Sequence, residues 1–141
     1  MAGIAGITAK QNQTLENMLS KIKHRGPDTS EKYQNQSFIG GVNASKLSDA
    51  RGNGLAVDGD IAVLFDGEIY NQRKETTSDA QLVLQMYKKY GTSFPAQLQG
   101  VFACAVIDAD HVLLARDFVG VRPLYYGTSD DGDFCFASEA K

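Results

Sequence analysis

Met1-Ala2-Gly3-Ile4-Ala5-Gly6-Ile7-Thr8 opens the chain, alternating small residues with branched apolar ones. From Gly3 to Thr8 this pattern predicts a buried first strand, packed closely because its glycines let a neighbouring backbone approach. Ser37 to Val42 and Ile61 to Phe65 read as two further strands, separated by the polar, glycine-rich stretch Asn43 to Asp60. Four short strands come late: Val101 to Ile107, Val112 to Arg116, Leu124 to Gly127 and Phe134 to Ala137. Asp108-Ala109-Asp110 and Ser129 to Gly132 supply turns among them, tight enough for antiparallel neighbours.

Two helices interrupt the strands. Thr14 is a good N-cap, and Leu15, Met18, Leu19 and Ile22 then fall at i, i+3, i+4 and i+7, giving an amphipathic helix that ends near His24 before Gly26-Pro27-Asp28. Ser78 with Gln81 three residues on forms a capping box; Val83, Met86, Tyr87 and Tyr90 make one apolar face, Gly91 ends the helix, and a short turn follows around Pro95. Helices packed on antiparallel sheets, an α+β class, is what the pattern alone supports.

Composition narrows the function classes. With 141 residues, 43% hydrophobic and 22% charged, the chain suits one compact domain with a single core. A net charge of -3, a pI near 5.3 and scattered basic residues argue against nucleic acid and anionic membrane as partners. The longest apolar run, Val101 to Ile107, is too short for a bilayer, and the first residues lack the order of a secretion signal, so a soluble, cytoplasmic protein is expected. Cys104 and Cys135 lie in apolar segments without any Cys-x-x-Cys or Cys/His cluster to hold zinc, which reads as two buried free thiols with a disulfide as the alternative; no metal or cofactor is expected.

Four segments carry chemistry: His24-Arg25-Gly26-Pro27-Asp28, Asp66-Gly67-Glu68-Ile69-Tyr70-Asn71, Ser78-Asp79, and Arg116 to Tyr126. Together with the opening residues, and in this order, they resemble the glutamine-hydrolysing domain of asparagine synthetases, the class II glutamine amidotransferases. The resemblance spans nearly the whole chain, residues 1–141, as one amidotransferase domain. It implies an N-terminal nucleophile hydrolase fold, a four-layer α/β/β/α sandwich with two antiparallel sheets. Because the family's domain continues past Phe136-Ala137-Ser138-Glu139-Ala140-Lys141, this one is expected to be either a fragment or a shortened module whose open sheet edge a partner covers.

In that family residue 2 is a cysteine, freed by removal of the initiator methionine, whose amine is the base and whose thiolate attacks the glutamine amide. Here position 2 is Ala2, a methyl that cannot attack a carbonyl, and with Met1 retained the amine would also be tied up in a peptide bond. The family's oxyanion hole pairs an asparagine amide with the next glycine N–H. Here the pair is Asp66 and Gly67, and a carboxylate has no N–H to give. The family arginine that grips the substrate carboxylate falls, by ungapped register from Gly41 to Asp49, on Ala44, with Lys46 or Arg51 as substitutes by another route. Glu68 and Asp79, the latter at the ammonium-binding position, are retained.

Three positions, Ala2, Ala44 and Asp66, thus depart from what hydrolysis needs, and a single engineered change accounts for one of them. The reading is a degenerate, non-catalytic or scaffolding amidotransferase domain, a pseudoenzyme. It binds glutamine only if the pocket survives, and a synthetase domain or another protein is its partner. The alternative is an active glutaminase that supplies ammonia for amide synthesis, seen with its nucleophile replaced by alanine. Other polar residues have bland readings: His24 and His111 as structural side chains, Asp66-Gly67 as a turn after a strand, and Asp79 as a first-turn carboxylate favoured by the helix dipole. Arg116-Asp117 and Arg122-Pro123 read as a bend with a local ion pair, and Tyr125 and Tyr126 are expected to divide between core and surface.

Overall fold

A computed structural model describes residues 2–8, 12–25, 29–44, 54–71, 78–118, 120, 122–128 and 132–139. Nine strands and two helices are found among them: β1 (Ala2–Thr8), α1 (Asn12–Lys21), β2 (Thr29–Gln34), β3 (Phe38–Ala44), β4 (Leu55–Asp58), β5 (Ile61–Ile69), α2 (Asp79–Tyr90), β6 (Gly100–Asp108), β7 (His111–Arg116), β8 (Tyr125–Thr128) and β9 (Phe134–Ala137). One sheet runs β2-β3-β1-β9-β8 and the other β4-β5-β6-β7, with every neighbouring pair antiparallel.

Side-chain alternation along the strands builds three apolar layers. Ala5 and Ile7 of β1, with Ile39, meet Leu15, Leu19 and Ile22 of α1. Ile4, Val42 and Phe136 of the first sheet meet Ala62, Leu64, Ala105 and Ile107 of the second. The far face of the second sheet, with Val63, Phe65, Cys104 and Val106, packs on Ala80, Val83, Leu84 and Met86 of α2. The result is α1, sheet, sheet, α2, the expected four-layer sandwich. Close cross-strand packing within the first sheet shows at Gly6, paired with Phe136 of β9, where an added Cβ would lie 2.4 Å from the Phe136 ring, so any side chain there displaces a fully buried aromatic.

Several boundaries differ from expectation, each for a physical reason. Thr14 lies inside α1, which begins at Asn12: the apolar stripe reports only the packed face and is silent about a polar first turn. The helix stops at Lys21, because Ile22 N–H bonds to Leu19 C=O and Arg25 N–H to Ile22 C=O, tightening the chain into a 3₁₀ turn, Lys23–Arg25. β2 was not anticipated: it is a polar edge strand carrying Glu31 and Lys32, the charged blunting an edge needs, and Lys32 pairs with Glu16 of α1. β4 is a four-residue strand inside the stretch read as loop, and Asn43, also read as loop, is buried in β3 with its amide donating to Leu19 C=O at 2.7 Å.

The stretch around Pro95, read as a short turn, is likewise regular, a 3₁₀ helix over Gly91–Gln97. The turn read at Ser129 to Gly132 lies outside the described residues except for Gly132, as do Lys46 and Arg51. Tyr125 and Tyr126 do not divide between core and surface: both are exposed, on the edge strand β8. Among the described residues no helix is long and apolar enough to cross a membrane.

Candidate functional site

Two inward-facing rows of side chains converge at one end of the inter-sheet layer. On β1 the row is Ala2 and Ile4, while Gly3, set against Ile22 and Arg25, faces α1. On β5 the row is Ala62, Leu64 and then Asp66, so the alternation that buries two apolar residues buries a carboxylate next. Asp66 is 0% exposed. The turn read there does not exist, because β5 continues to Ile69 and pairs with β6 throughout, Asp66 opposite Ala103 and Gly67 opposite Phe102.

A carboxylate in an apolar layer is prohibitive unless paired and hydrogen-bonded. The Ala2 backbone nitrogen donates to Asp66 Oδ1 at 3.1 Å, and Arg25 Nη2 donates to Oδ2 at 3.0 Å. Arg25 is held in turn by its Nε, which donates to Ala2 C=O at 3.1 Å. The tightened 3₁₀ turn is what brings Arg25 beneath β1. Further out, Arg25 Nη1 lies 3.8 Å from Glu139 Oε2, which His24 Nε2 meets at 2.6 Å. Ser138 pins this segment to β1 by exchanging bonds with Ile4: its N–H donates to Ile4 C=O and its Oγ accepts from Ile4 N–H, both at 2.9 Å.

Gly67 adopts φ +137, and an added Cβ would lie 2.0 Å from Val101 C=O, so only glycine fits. The direction of its N–H follows from the ladder. Tyr70 N–H bonds to Gln99 C=O of the β6 side, whereas Phe65 N–H turns to Gly54 C=O and Ile69 N–H to Asp79 Oδ2 at 3.3 Å. Phe102, opposite Gly67, spends its own N–H and C=O on Asp117. Gly67 N–H therefore points to the β4 side of β5, between Gly54 and Asp79.

Asp79 begins α2 just after its N-cap, where Ser78 Oγ accepts from Gln81 N–H at 3.1 Å. Glu68, next in the row of Asp66, is exposed. Ala44 stands directly opposite Ala2 in the β1–β3 register, at the same end of the sheet. The structure thus gathers Ala2, Ala44, Asp66 and Gly67 at one place, with Asp79 along the adjoining strand edge.

Neither thiol faces the inter-sheet layer that holds Ala2 and Asp66. Cys104 faces α2 in the outer layer, and burial pushes its thiol up to about 12, far from reactive. Cys135 is half-buried rather than buried and packs toward α1. His24 is tied to Glu139, and His111 sits beside Asp110 at the hairpin tip. Sequence reasoning missed Arg25, Ser138 and Glu139 as site residues. A guanidinium is present at this end, that of Arg25, and it is engaged by Asp66. Only the alternation Ala62, Leu64, Asp66, which demands a buried counter-charge, pointed toward it.

Comparison with known proteins agrees with this geometry. The family described as a glutamine amidotransferase domain matches residues 1–141. Asparagine synthetase [glutamine-hydrolyzing] 1 of Arabidopsis thaliana is 32% identical, covering 94% of this chain and 25% of the relative. Asparagine synthetase [glutamine-hydrolyzing] 2 of Bacillus subtilis (strain 168) is 32% identical over 100% of this chain and 21% of its own. A probable asparagine synthetase [glutamine-hydrolyzing] of Dictyostelium discoideum is 34% identical, with 100% and 30% covered. The chain therefore spans between a fifth and a third of the length of these relatives.

Among solved structures, the glutamine phosphoribosylpyrophosphate amidotransferase of B. subtilis superimposes with a TM-score of 0.75 at 18% identity, over 97% of this chain and 42% of that one. An allosteric regulatory enzyme of purine biosynthesis gives 0.73 over the same shares. These establish the N-terminal nucleophile hydrolase fold. The chain belongs to the glutamine amidotransferase domain family, of the class II, asparagine synthetase type.

Proposed function

We propose that this domain does not hydrolyse glutamine and serves as a non-catalytic, scaffolding member of its family. The observation that carries the reading is the pair Ala2 and Asp66. A methyl heads β1 where attack on an amide must begin, and the adjoining oxyanion position holds an acid whose oxygens accept from Ala2 N and Arg25. Charge developing on a carbonyl oxygen beside that carboxylate would be repelled, and Gly67 N–H supplies only half of an oxyanion hole. Ala44, standing opposite Ala2, brings no guanidinium of its own to a substrate carboxylate. The relatives named above are glutamine-hydrolysing synthetases of which this chain matches a fraction, so we take a synthetase domain or a separate protein as its partner, in the cytoplasm.

A glutaminase assay decides the matter. The chain itself is expected to release no ammonia above background. Ala2→Cys with Met1 removed is expected to remain at least about 10²-fold slower than the triple variant Ala2→Cys, Ala44→Arg, Asp66→Asn, the loss typical of one missing oxyanion donor. Full activity in the single variant sinks the proposal and establishes the alternative, an active ammonia-supplying glutaminase with a replaced nucleophile. Calorimetric titration with glutamine is expected to show no heat of binding, and tight binding would count against a lost carboxylate grip.

A further inference from the structure

We propose that the Ala2 end of the inter-sheet layer is a carboxylate-binding cradle, occupied in this chain by its own Asp66 as a built-in ligand. Each donor has an anchor besides the group it binds. Ala2 N is set by β1, which is laddered to β3 and β9, and Arg25 is anchored by Nε to Ala2 C=O as well as by Nη2 to Asp66. Two donors from separate elements, a strand and a 3₁₀ turn, therefore reach the two oxygens of one carboxylate at 3.1 and 3.0 Å. The Asp66 side chain is 0% exposed and that of Arg25 11%, so the carboxylate is closed off from water while the guanidinium keeps a small exposed edge. A guanidinium N–H and a backbone N–H that meet the two oxygens of one planar group separately favour a carboxylate over a spherical anion.

Occupation from within has a consequence for the site. An outside carboxylate or a developing oxyanion finds the cradle filled, so Asp66 acts as a resident blocker and not merely as an absent amide. The inference concerns anion binding alone and stands whether or not the domain hydrolyses glutamine.

Removing the carboxylate while leaving Cβ tests it, because Asp66→Ala plus formate restores the missing group atom for atom. Thermal unfolding of Asp66→Ala is expected to shift upward saturably with sodium formate. The rise is about 4 °C once formate exceeds its dissociation constant about tenfold. Sodium chloride at equal ionic strength and neutral formamide are expected to give no such rise, and acetate, which carries an extra methyl, a smaller one. The native chain and the double variant Asp66→Ala, Arg25→Gln are expected not to respond. If Asp66→Ala is unfolded without additive, formate-induced folding followed by circular dichroism is the expected result. The cradle is overturned by no formate response, by an equal response to chloride, or by a response that survives in the double variant. A swing of Glu139 onto Arg25 shows as the first of these. None of these results bears on the glutaminase assay, so the two proposals fail separately.

Discussion

Asp66 and Asp117 are both buried aspartates, yet the molecule neutralises them in opposite ways. Asp117, 7% exposed, follows β7 and collects backbone N–H groups: Phe102 at 3.1 Å, Gly120 at 2.9 Å and Arg122 at 3.4 Å, while its own N–H bonds to Phe102 C=O. The bend at Arg116 to Arg122 is closed by these amides. Asp66 has a single backbone donor, Ala2 N, and takes its second bond from a side chain on a turn 41 residues away. Backbone donors come with the fold and cannot be lost by one substitution, whereas a guanidinium can. The bend carboxylate is thus held by several main-chain amides, whereas Asp66 divides between one amide and a replaceable side chain.

The comparison is most easily broken at Arg25. Arg25→Gln leaves the Asp66 carboxylate buried beside a neutral amide and is expected to cost about 3–5 kcal/mol in denaturant unfolding, more than any other single change at the site. Asp117→Ala orphans several amides, some of which water reaches, and is expected to cost about 3 kcal/mol. The reverse order would mean that Asp66 is not held chiefly by Arg25. A double-mutant cycle of Asp66→Asn with Arg25→Gln is expected to show a coupling of about 2 kcal/mol, and additivity there would dissolve the pair.

A third carboxylate extends the series downward. Asp108 accepts from Tyr87 Oη at 2.7 Å, a neutral partner at the edge of the core. Tyr87→Phe is expected to cost about 1 kcal/mol. The bond to Asp108, with burial and the charge of Asp108 adding to it, raises the Tyr87 phenol above its ordinary 10.0. The folded state thus favours the protonated phenol, so this contribution is complete below pH 10 and fades as pH climbs through the raised value. Tyr87→Phe should flatten the dependence of stability on pH in that alkaline range, while leaving the neutral-pH unfolding slope unchanged.

The same contrast explains what could be read from the chain. Core strands and α2 were legible because their patterns are local: Gly3 to Thr8 and Val101 to Ile107 are apolar enough to be buried wherever they go, and Ser78 with Gln81 marks a helix start within four residues. β2 was hidden because an edge strand exposes polar side chains, and the end of β5 because Asp-Gly-Glu has the composition of a turn while only its ladder to β6 makes it a strand. Of the site, the resemblance named Ala2, Ala44, Asp66, Gly67 and Asp79, and the fold brings the first four together. Arg25 lay within a quoted motif yet had no visible role, since nothing near Asp66 in sequence says that a helix will tighten and deliver a cation under β1.

Strand order carries one last consequence. The β4-β5-β6-β7 sheet uses successive strands, but β1 lies between β3 and β9, so its second flank is supplied by Phe134–Ala137. A ribosome delivers Ala2 first and Phe136 near the end of this stretch. During synthesis the opening strand must wait half-paired, with the backbone N–H and C=O groups of one edge uncovered, until more than a hundred residues have emerged. Chaperone dependence of the nascent protein should therefore fall sharply once those closing residues clear the exit tunnel.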